Sequence, residues 1–434
     1  MAGSRSARGL PIVIDHHEAQ QRRTIRVLFA AQVLSGAGLA AGVSVGALLG
    51  EDMIGGRGYA GLPAALFTLG SALAAWIVGT LSQRSGRRPG LALGYGVGAI
   101  GGAGTVAAAA IDSVPLLLVS LFLYGSGTAT NLQARYAGAD LAHPDRRGRA
   151  ISTVLVATTV GAVIGPNLVD VTGSVAERMG IPPLAGPFML ATLAYACGAL
   201  VVITWLRPDP LLLARKRAAD VSGRTPASQL MDSPQGTNTV RLAGAVMVVT
   251  QLVMLAVMTM TPVHMRDHGQ SLAATGLVIS LHIAAMFLPS PLTGMLVDRL
   301  GRHPVIAMGA LTLGAAGAVA AVAPGDSAAA LGLALVLLGL GWNFGVIGGT
   351  ALLTDSVPLA RRAKTQGAAD VALALSGAAG GLGSGVVVAG SSFAVLSLAG
   401  GLIGLAILPL LLVAAARPPG PASLVSGAAP EPSG

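Results

Sequence analysis

Three ionisable side chains sit where a charge is costly: Asp170, His282 and Asp370 each fall inside an apolar stretch of the chain. Groups of this kind can take up and release a proton. An imidazole titrates near neutral pH, and a desolvated carboxyl is pushed up toward it. His282, close to the middle of its stretch, is the first candidate, with Asp370 and Asp170 following. Arg135 adds a cation in the fourth stretch, nearer its cytoplasmic end, either an interfacial anchor or a partner in the proton chemistry. Asp170 facing outer water, or Asp370 pairing with an arginine, are the competing structural readings.

Around these groups the polar residues recur at helical spacing. Tyr124, Thr128, Asn131 and Arg135 form one stripe, and Met247, Gln251, Met254, Met258 and Thr261 form another. Gln32 and Ser35 lie in the first apolar stretch, and Trp342 and Asn343 in the tenth. A methionine stripe beside Gln251 reads as an adaptable wall for a small molecule or as simple packing.

The elements that must carry these residues are membrane helices. The chain is 53% hydrophobic and 10% charged, with a mean hydropathy of +0.73. Stretches of about twenty apolar residues can cross roughly 30 Å of hydrocarbon. Twelve are counted: 27–49, 59–81, 90–110, 115–137, 150–173, 186–206, 241–263, 271–296, 304–323, 328–353, 365–388 and 392–415. Gly94, Gly98 and Gly102 in the third suit close helix packing. The expected layout is an N-terminal tail (1–25), a six-helix bundle (26–206), a flexible polar linker (207–240), a second bundle (241–415) and a disordered tail (416–434). Continuous apolar runs, as opposed to short alternating ones, argue against a transmembrane barrel.

The two bundles share a repeat. Gly79-Thr80-Leu81-Ser82-Gln83-Arg84-Ser85-Gly86-Arg87-Arg88-Pro89 returns 215 positions later as Gly294-Met295-Leu296-Val297-Asp298-Arg299-Leu300-Gly301-Arg302-His303-Pro304. The same shift carries Asp140 onto Asp355, Arg146-Arg147 onto Arg361-Arg362 and Arg149 onto Lys364. Two membrane halves with a common seam point to a transporter with its substrate on that seam.

The net charge of +9 is topological. With both termini cytoplasmic, only Arg57, Arg178 and Arg266 of the 27 basic residues fall outside. That distribution sets aside nucleic acid as a partner; lipid bilayer takes its place. With a polar start to about Thr24, no cleavable signal is expected there. Cys197, the single cysteine, offers neither a disulfide nor a thiolate metal site, and no metal or other cofactor is expected. The chain has no Gly-x-x-x-x-Gly-Lys loop for a nucleotide and no His-Glu-x-x-His motif, so an enzyme is not expected. A non-transporting membrane sensor is the reading from another class.

Twelve spans as six plus six, a basic central linker and the Gly-x-Leu-x-x-Arg-x-Gly-Arg-Arg loop between spans two and three resemble the major facilitator superfamily from Arg26 to about Ala415. The resemblance implies two pseudo-symmetric six-helix bundles and alternating access. It implies that Gly79, Arg84, Gly86, Arg87 and Arg88, with Gly294, Asp298, Arg299, Gly301 and Arg302, latch the halves together in the outward-facing state. The family's Asp before the first Arg is kept as Asp298, while the first copy has Gln83, so a charge-based latch there lacks its acid. Spans one, four, seven and ten then line the path, making Gln32, Tyr124, Thr128, Asn131, Gln251, Met254, Met258, Trp342 and Asn343 the candidate substrate cavity. Spans three, nine and twelve belong to the periphery. Gly161, Gly165 and Pro166 are similar to the family's antiporter motif, but Val169 and Asp170 replace its trailing glycines. An arginine the family places in span four is absent, its position being Leu121. The resulting expectation is a monomeric, proton-coupled exporter of a small amphiphilic compound in a bacterial inner membrane. Proton-coupled uptake of a nutrient or metabolite is the alternative.

Overall fold

The computed structural model describes residues 10–54, 62–222 and 234–415. They form sixteen α-helices and, among the described residues, no strand. The first half comprises α1 (Leu10–Ile54), α2 (Leu62–Ser85), α3 (Arg87–Ala110), α4 (Val114–Ala139), α5 (Arg147–Asn167), α6 (Val169–Arg178) and α7 (Gly186–Trp205). A connecting helix, α8 (Pro210–Ser222), precedes the second half. That half comprises α9 (Pro234–Asp267), α10 (Leu272–Phe287), α11 (Ser290–Leu300), α12 (Arg302–Val322), α13 (Ala328–Ser356), α14 (Arg362–Gly390), α15 (Phe393–Leu405) and α16 (Ile407–Ala415). Ten stretches of the described residues are long and apolar enough to cross a membrane. Large side chains such as Trp76, Leu193 and Leu382 stay exposed on the outside of the bundle, as a lipid-facing surface requires.

Several helices begin where the sequence supplies a cap. Ser271, Ser327 and Ser392 each accept a hydrogen bond from the amide three residues on, at 3.1, 3.3 and 3.2 Å, satisfying a free donor of α10, α13 and α15. Gly86 and Gly301 open α3 and α12 with φ of 97° and 93°, a conformation that favours glycine. Both repeated loops therefore turn the same way.

Three expected spans are broken. Span five divides at Leu168, between α5 and α6, directly after Pro166-Asn167. Span eight divides between α10 and α11, where Pro289 and Pro291 have no amide to return to the preceding turn. Span twelve divides between α15 and α16. The region expected as a flexible linker is partly ordered: Asp209 accepts from Leu211 N at 3.0 Å and Leu212 N at 3.1 Å, starting α8, and from Arg88 N at 2.7 Å, tying α8 to the first repeated loop. The polar N-terminal segment is likewise helical from Leu10, continuous with the first span in α1.

Within the first half α1 packs on α5 and α7, and α3 on α4 and α7; within the second, α9 packs on α13 and α14, and α12 on α13 and α15. The halves meet through α2 on α14 and α5 on α11, which are equivalent pairings under the repeat. At the first of these the backbones nearly touch: a Cβ on Gly79 would lie 2.7 Å from Gly367 Cα. Gly79 is thus a contact between helices of opposite halves as well as part of a loop motif.

Candidate functional site

The hydrogen bonds and ion pairs that cross between the halves gather at the end carrying the basic loops. Asp298, near the end of α11, accepts from Gly148 N at 2.8 Å and Arg149 N at 3.0 Å, at the start of α5. Gln83, its repeat counterpart at the end of α2, accepts from Ala363 N at 2.8 Å and Lys364 N at 3.3 Å, at the start of α14. Gln83 also donates to Ala360 O at 2.6 Å and Leu359 O at 3.3 Å. Free amides at a helix start donate to a carboxylate or to an amide oxygen alike. The contact across the seam therefore forms at the first copy without the acid that its sequence lacks.

The arginines of the two loops also match. Arg87 Nε donates to Asp140 at 2.7 Å, and Arg302 Nε donates to Asp355 at 2.7 Å. Arg87 continues across the seam to Gln366, Arg147 reaches Asp355 from the other half, and Arg302 donates to Pro144 O at 2.8 Å. Arg84 and Arg299 are exposed, and Arg88 is half-buried with its backbone held by Asp209. Of the proposed latch cations, Arg87 and Arg302 are the ones the structure ties to carboxylates.

One ion pair breaks the symmetry. Arg135 of α4 donates through Nη2 to Asp370 Oδ1 of α14 at 2.7 Å, with both side chains buried. Arg135 Nε donates to Thr350 Oγ1 at 3.0 Å and Nη1 to Leu132 O at 2.6 Å. Tyr136 donates its hydroxyl to the same Asp370 oxygen at 3.2 Å, and the guanidinium lies 4.4 Å from its ring centre. Asp370 Oδ2 is buried with no hydrogen bond among the described residues. Thr350 is the repeat counterpart of Arg135, so Arg135 touches its own equivalent at the pseudo-axis between the halves. The counterpart of Asp370 is Leu155, which packs in an apolar cluster with Ile347 and Ala351. The charged pair exists on one side of the axis only.

Other candidate groups are placed elsewhere. His282 is buried between α10 and α13, its Nδ1 2.7 Å from Leu335 O, inside the second half. Asp170 is exposed in the first turn of α6, outside the packed interior and apart from the seam. Its charge lies at a helix start, a favourable position for a carboxylate. Gly161 is buried, whereas the surroundings of Gly165 and Pro166 lie outside the described residues.

The cavity candidates divide between two interiors. Gln32, Ser35 and Asn131 form one closed network with Tyr95 and Thr158: Gln32 donates to Thr158 Oγ1 and Asn131 O, both at 3.0 Å, and Tyr95 bridges Gln32 and Asn131. Tyr124 is buried among Phe67, Phe188 and Tyr195, and Thr128 is half-buried one turn on. In this structure these side chains hold the first half together. In the second half Trp342 donates to Gln251 at 2.7 Å and stands edge-on to Phe287; Met254 is buried, Met258 half-buried. Asn343 donates to Met286 O at 2.6 Å and Ser290 Oγ at 2.8 Å, and accepts from Thr293, closing the carbonyl left free by the α10–α11 break. Tyr95, Tyr136, Thr158, Thr350 and Gln366 were missed by sequence reasoning. Tyr95 lies on α3, a helix expected at the periphery, and its phenol turns inward.

A two-half helical bundle, duplicated loops latched on each other's helices and a buried charged pair at the seam define a membrane transporter. The sequence profile of the Major Facilitator Superfamily matches residues 27–381 and 242–433. The chain is 54% identical to the uncharacterised MFS-type transporter YdeG of Bacillus subtilis, over 90% of this chain and 91% of that one. It is 37% identical to the riboflavin transporter RfnT of Brucella anthropi, over 80% of this chain and 85% of that one. The human organic anion transporter MFSD10 shares the fold with a TM-score of 0.74 at 18% identity, covering 90% of this chain and 99% of that one. The chain belongs to the major facilitator superfamily.

Proposed function

We propose that this chain is a proton-coupled secondary transporter that takes up a small organic metabolite by alternating access. The Arg135–Asp370 pair serves as its coupling site. The observation carrying this reading is that pair, buried at the seam and present on one side of the pseudo-axis only. A carboxylate there changes its counter-charge and its access to water whenever the halves separate, which is what proton coupling needs. Residues 26–206 and 241–415 move against each other, with 207–240 joining them. The basic end faces the cytoplasm of a bacterial inner membrane, so the latched structure is closed on the inside. The protein works as a monomer.

A metabolite is favoured because a relative 37% identical is named a riboflavin transporter. Riboflavin, which is uncharged at neutral pH, is tested beside anionic metabolites. Export of an amphiphilic compound keeps one supporting observation, the helix break at Leu168 directly after the partial antiporter motif. The deciding experiment uses right-side-out and inverted vesicles with an imposed pH gradient, riboflavin and a panel of metabolites and drugs. Accumulation in right-side-out vesicles with acid outside, lost in Asp370→Asn, is the expected result. Accumulation in inverted vesicles with acid inside would establish export instead. Equal transport without any gradient would remove proton coupling.

A further inference from the structure

We infer that Arg135 is the binding group for an anionic moiety of the substrate, and that this anion and a proton on Asp370 bind as a linked pair and travel together. The inference rests on the proposed coupling role of the pair and names the substrate class.

The surroundings leave Arg135 and Asp370 as each other's counter-charge. Facing Asp370 are Arg135 and Tyr136 from α4, and Gln366 one turn before it on its own helix. Thr350 of α13 is bonded to Arg135 and Thr354 of the same helix to Gln366. Arg87 lies 6.0 Å from the Tyr136 ring centre but is already paired with Asp140. Of the other helices packed along α14, α15 has no titratable residue. Those of α2 and α9 are near the helix ends: Arg84, and Arg241, His264, Arg266 and Asp267. Asp355 of α13 is held by Arg147 and Arg302, and Asp140 at the end of α4 by Arg87. On α14 itself Arg362 donates to Val357 O and Lys364 is exposed in the first turn. Among the described residues around the pair, no unpaired carboxylate stands ready to replace Asp370.

Protonating Asp370 therefore leaves a buried guanidinium without a counter-ion, a strongly unfavourable state. An anion arriving alone leaves two negative groups on one cation. The empty pair and the doubly loaded site, with protonated Asp370 and Arg135 holding the anion, are the two neutral states. These are the two that can be buried again when the halves close. Half-loaded forms carry a net buried charge and stall. Each ligand thus favours the other, and linkage makes the effect reciprocal. Such coupling moves anion and proton in the same direction. Asp370 Oδ2, buried without a hydrogen bond, is the oxygen that receives the proton, leaving Oδ1 with the Tyr136 hydroxyl.

The test uses the purified full-length protein and acetate, which stays ionised over the pH range used, with acetamide as the neutral control. Thermal stability is followed against acetate concentration at constant ionic strength. In Asp370→Asn, which mimics the protonated carboxyl, the half-effect concentration should fall at least tenfold below wild type at pH 7.5. Acetamide should have no effect, and Arg135→Gln with Asp370→Asn should abolish the response. In wild type the half-effect concentration should itself fall about tenfold from pH 7.5 to 6.5, one proton being linked to one anion. This measurement decides the matter even where the variant fails to fold. A wild-type response independent of pH, or an Asp370→Asn response no stronger than wild type, overturns the inference. Loss of proton-driven accumulation in vesicles with the acetate linkage intact would instead overturn the proposed function and leave the anion site standing.

Discussion

Gln83 and Asp298 make the same contact on opposite halves of the molecule: each places a side-chain oxygen 2.8 Å from the amide of an equivalent residue, Ala363 and Gly148, at the start of the facing helix. One is neutral and the other charged. The neutral one compensates with two further bonds from its amide nitrogen to Leu359 O and Ala360 O.

The sequence shows the first copy lacking its acid and so gives Asp298 the larger effect; the geometry gives Gln83 an equivalent contact. Gln83→Ala removes up to four hydrogen bonds at the seam, each with a net worth of about 1 kcal/mol or less where water can enter. Opening of the basic end should become roughly 5–30-fold easier, as 1–2 kcal/mol implies. Asp298→Ala should have an effect of similar size. Distances between spin labels across the two latches report this, and an unchanged distribution in Gln83→Ala would leave the neutral latch without a role.

The Arg135–Asp370 pair separates fold from function. Arg135→Gln or Asp370→Asn alone should destabilise the protein by about 3–5 kcal/mol, since each leaves a buried polar group without its partner. Replacing both by apolar residues, Arg135→Met with Asp370→Leu, should recover most of that loss while proton-driven transport stays absent. Thermal unfolding and vesicle transport, measured side by side, check both halves of this expectation.

His282 was the first proton candidate by depth and side-chain type. In the structure it bonds Leu335 O inside the second half, away from the seam. His282→Gln keeps a donor for that carbonyl and should preserve proton-driven accumulation within about threefold, a difference well under 1.4 kcal/mol. An inactive His282→Gln beside an active Asp370→Asn would return the proton to α10.

Asn343 should behave as a structural residue. Asn343→Leu leaves Met286 O and the Ser290 and Thr293 hydroxyls without partners, at a cost of about 1–3 kcal/mol. Thermal stability should fall and substrate affinity in the folded fraction should hold. Weaker binding at unchanged stability would put Asn343 in the cavity.

The orientation has its own check. A cysteine at the exposed Asp220 on α8, in a Cys197→Ser background, should react with an impermeant maleimide in inverted vesicles only. Labelling in intact cells would reverse the orientation.

The sequence by itself determined the helical membrane class, the duplication and the two loops. Hydropathy over long windows and a repeat in fixed register are properties of the chain, independent of what touches what. It also reached both members of the seam pair, because a charge inside an apolar run is conspicuous wherever it falls. Only the tertiary structure decided that Arg135 and Asp370, 235 positions apart, neutralise each other. The same holds for His282 pointing into its own half, and for Asn343 and Gln32 spending their polar atoms on backbone and neighbouring side chains. Polar atoms in a spanning helix must find partners or water, and helical spacing alone shows the face of the helix without showing which neighbour meets it. For Gln83 the sequence reported a missing charge. The fold shows that a helix start needs an acceptor oxygen, which glutamine also has.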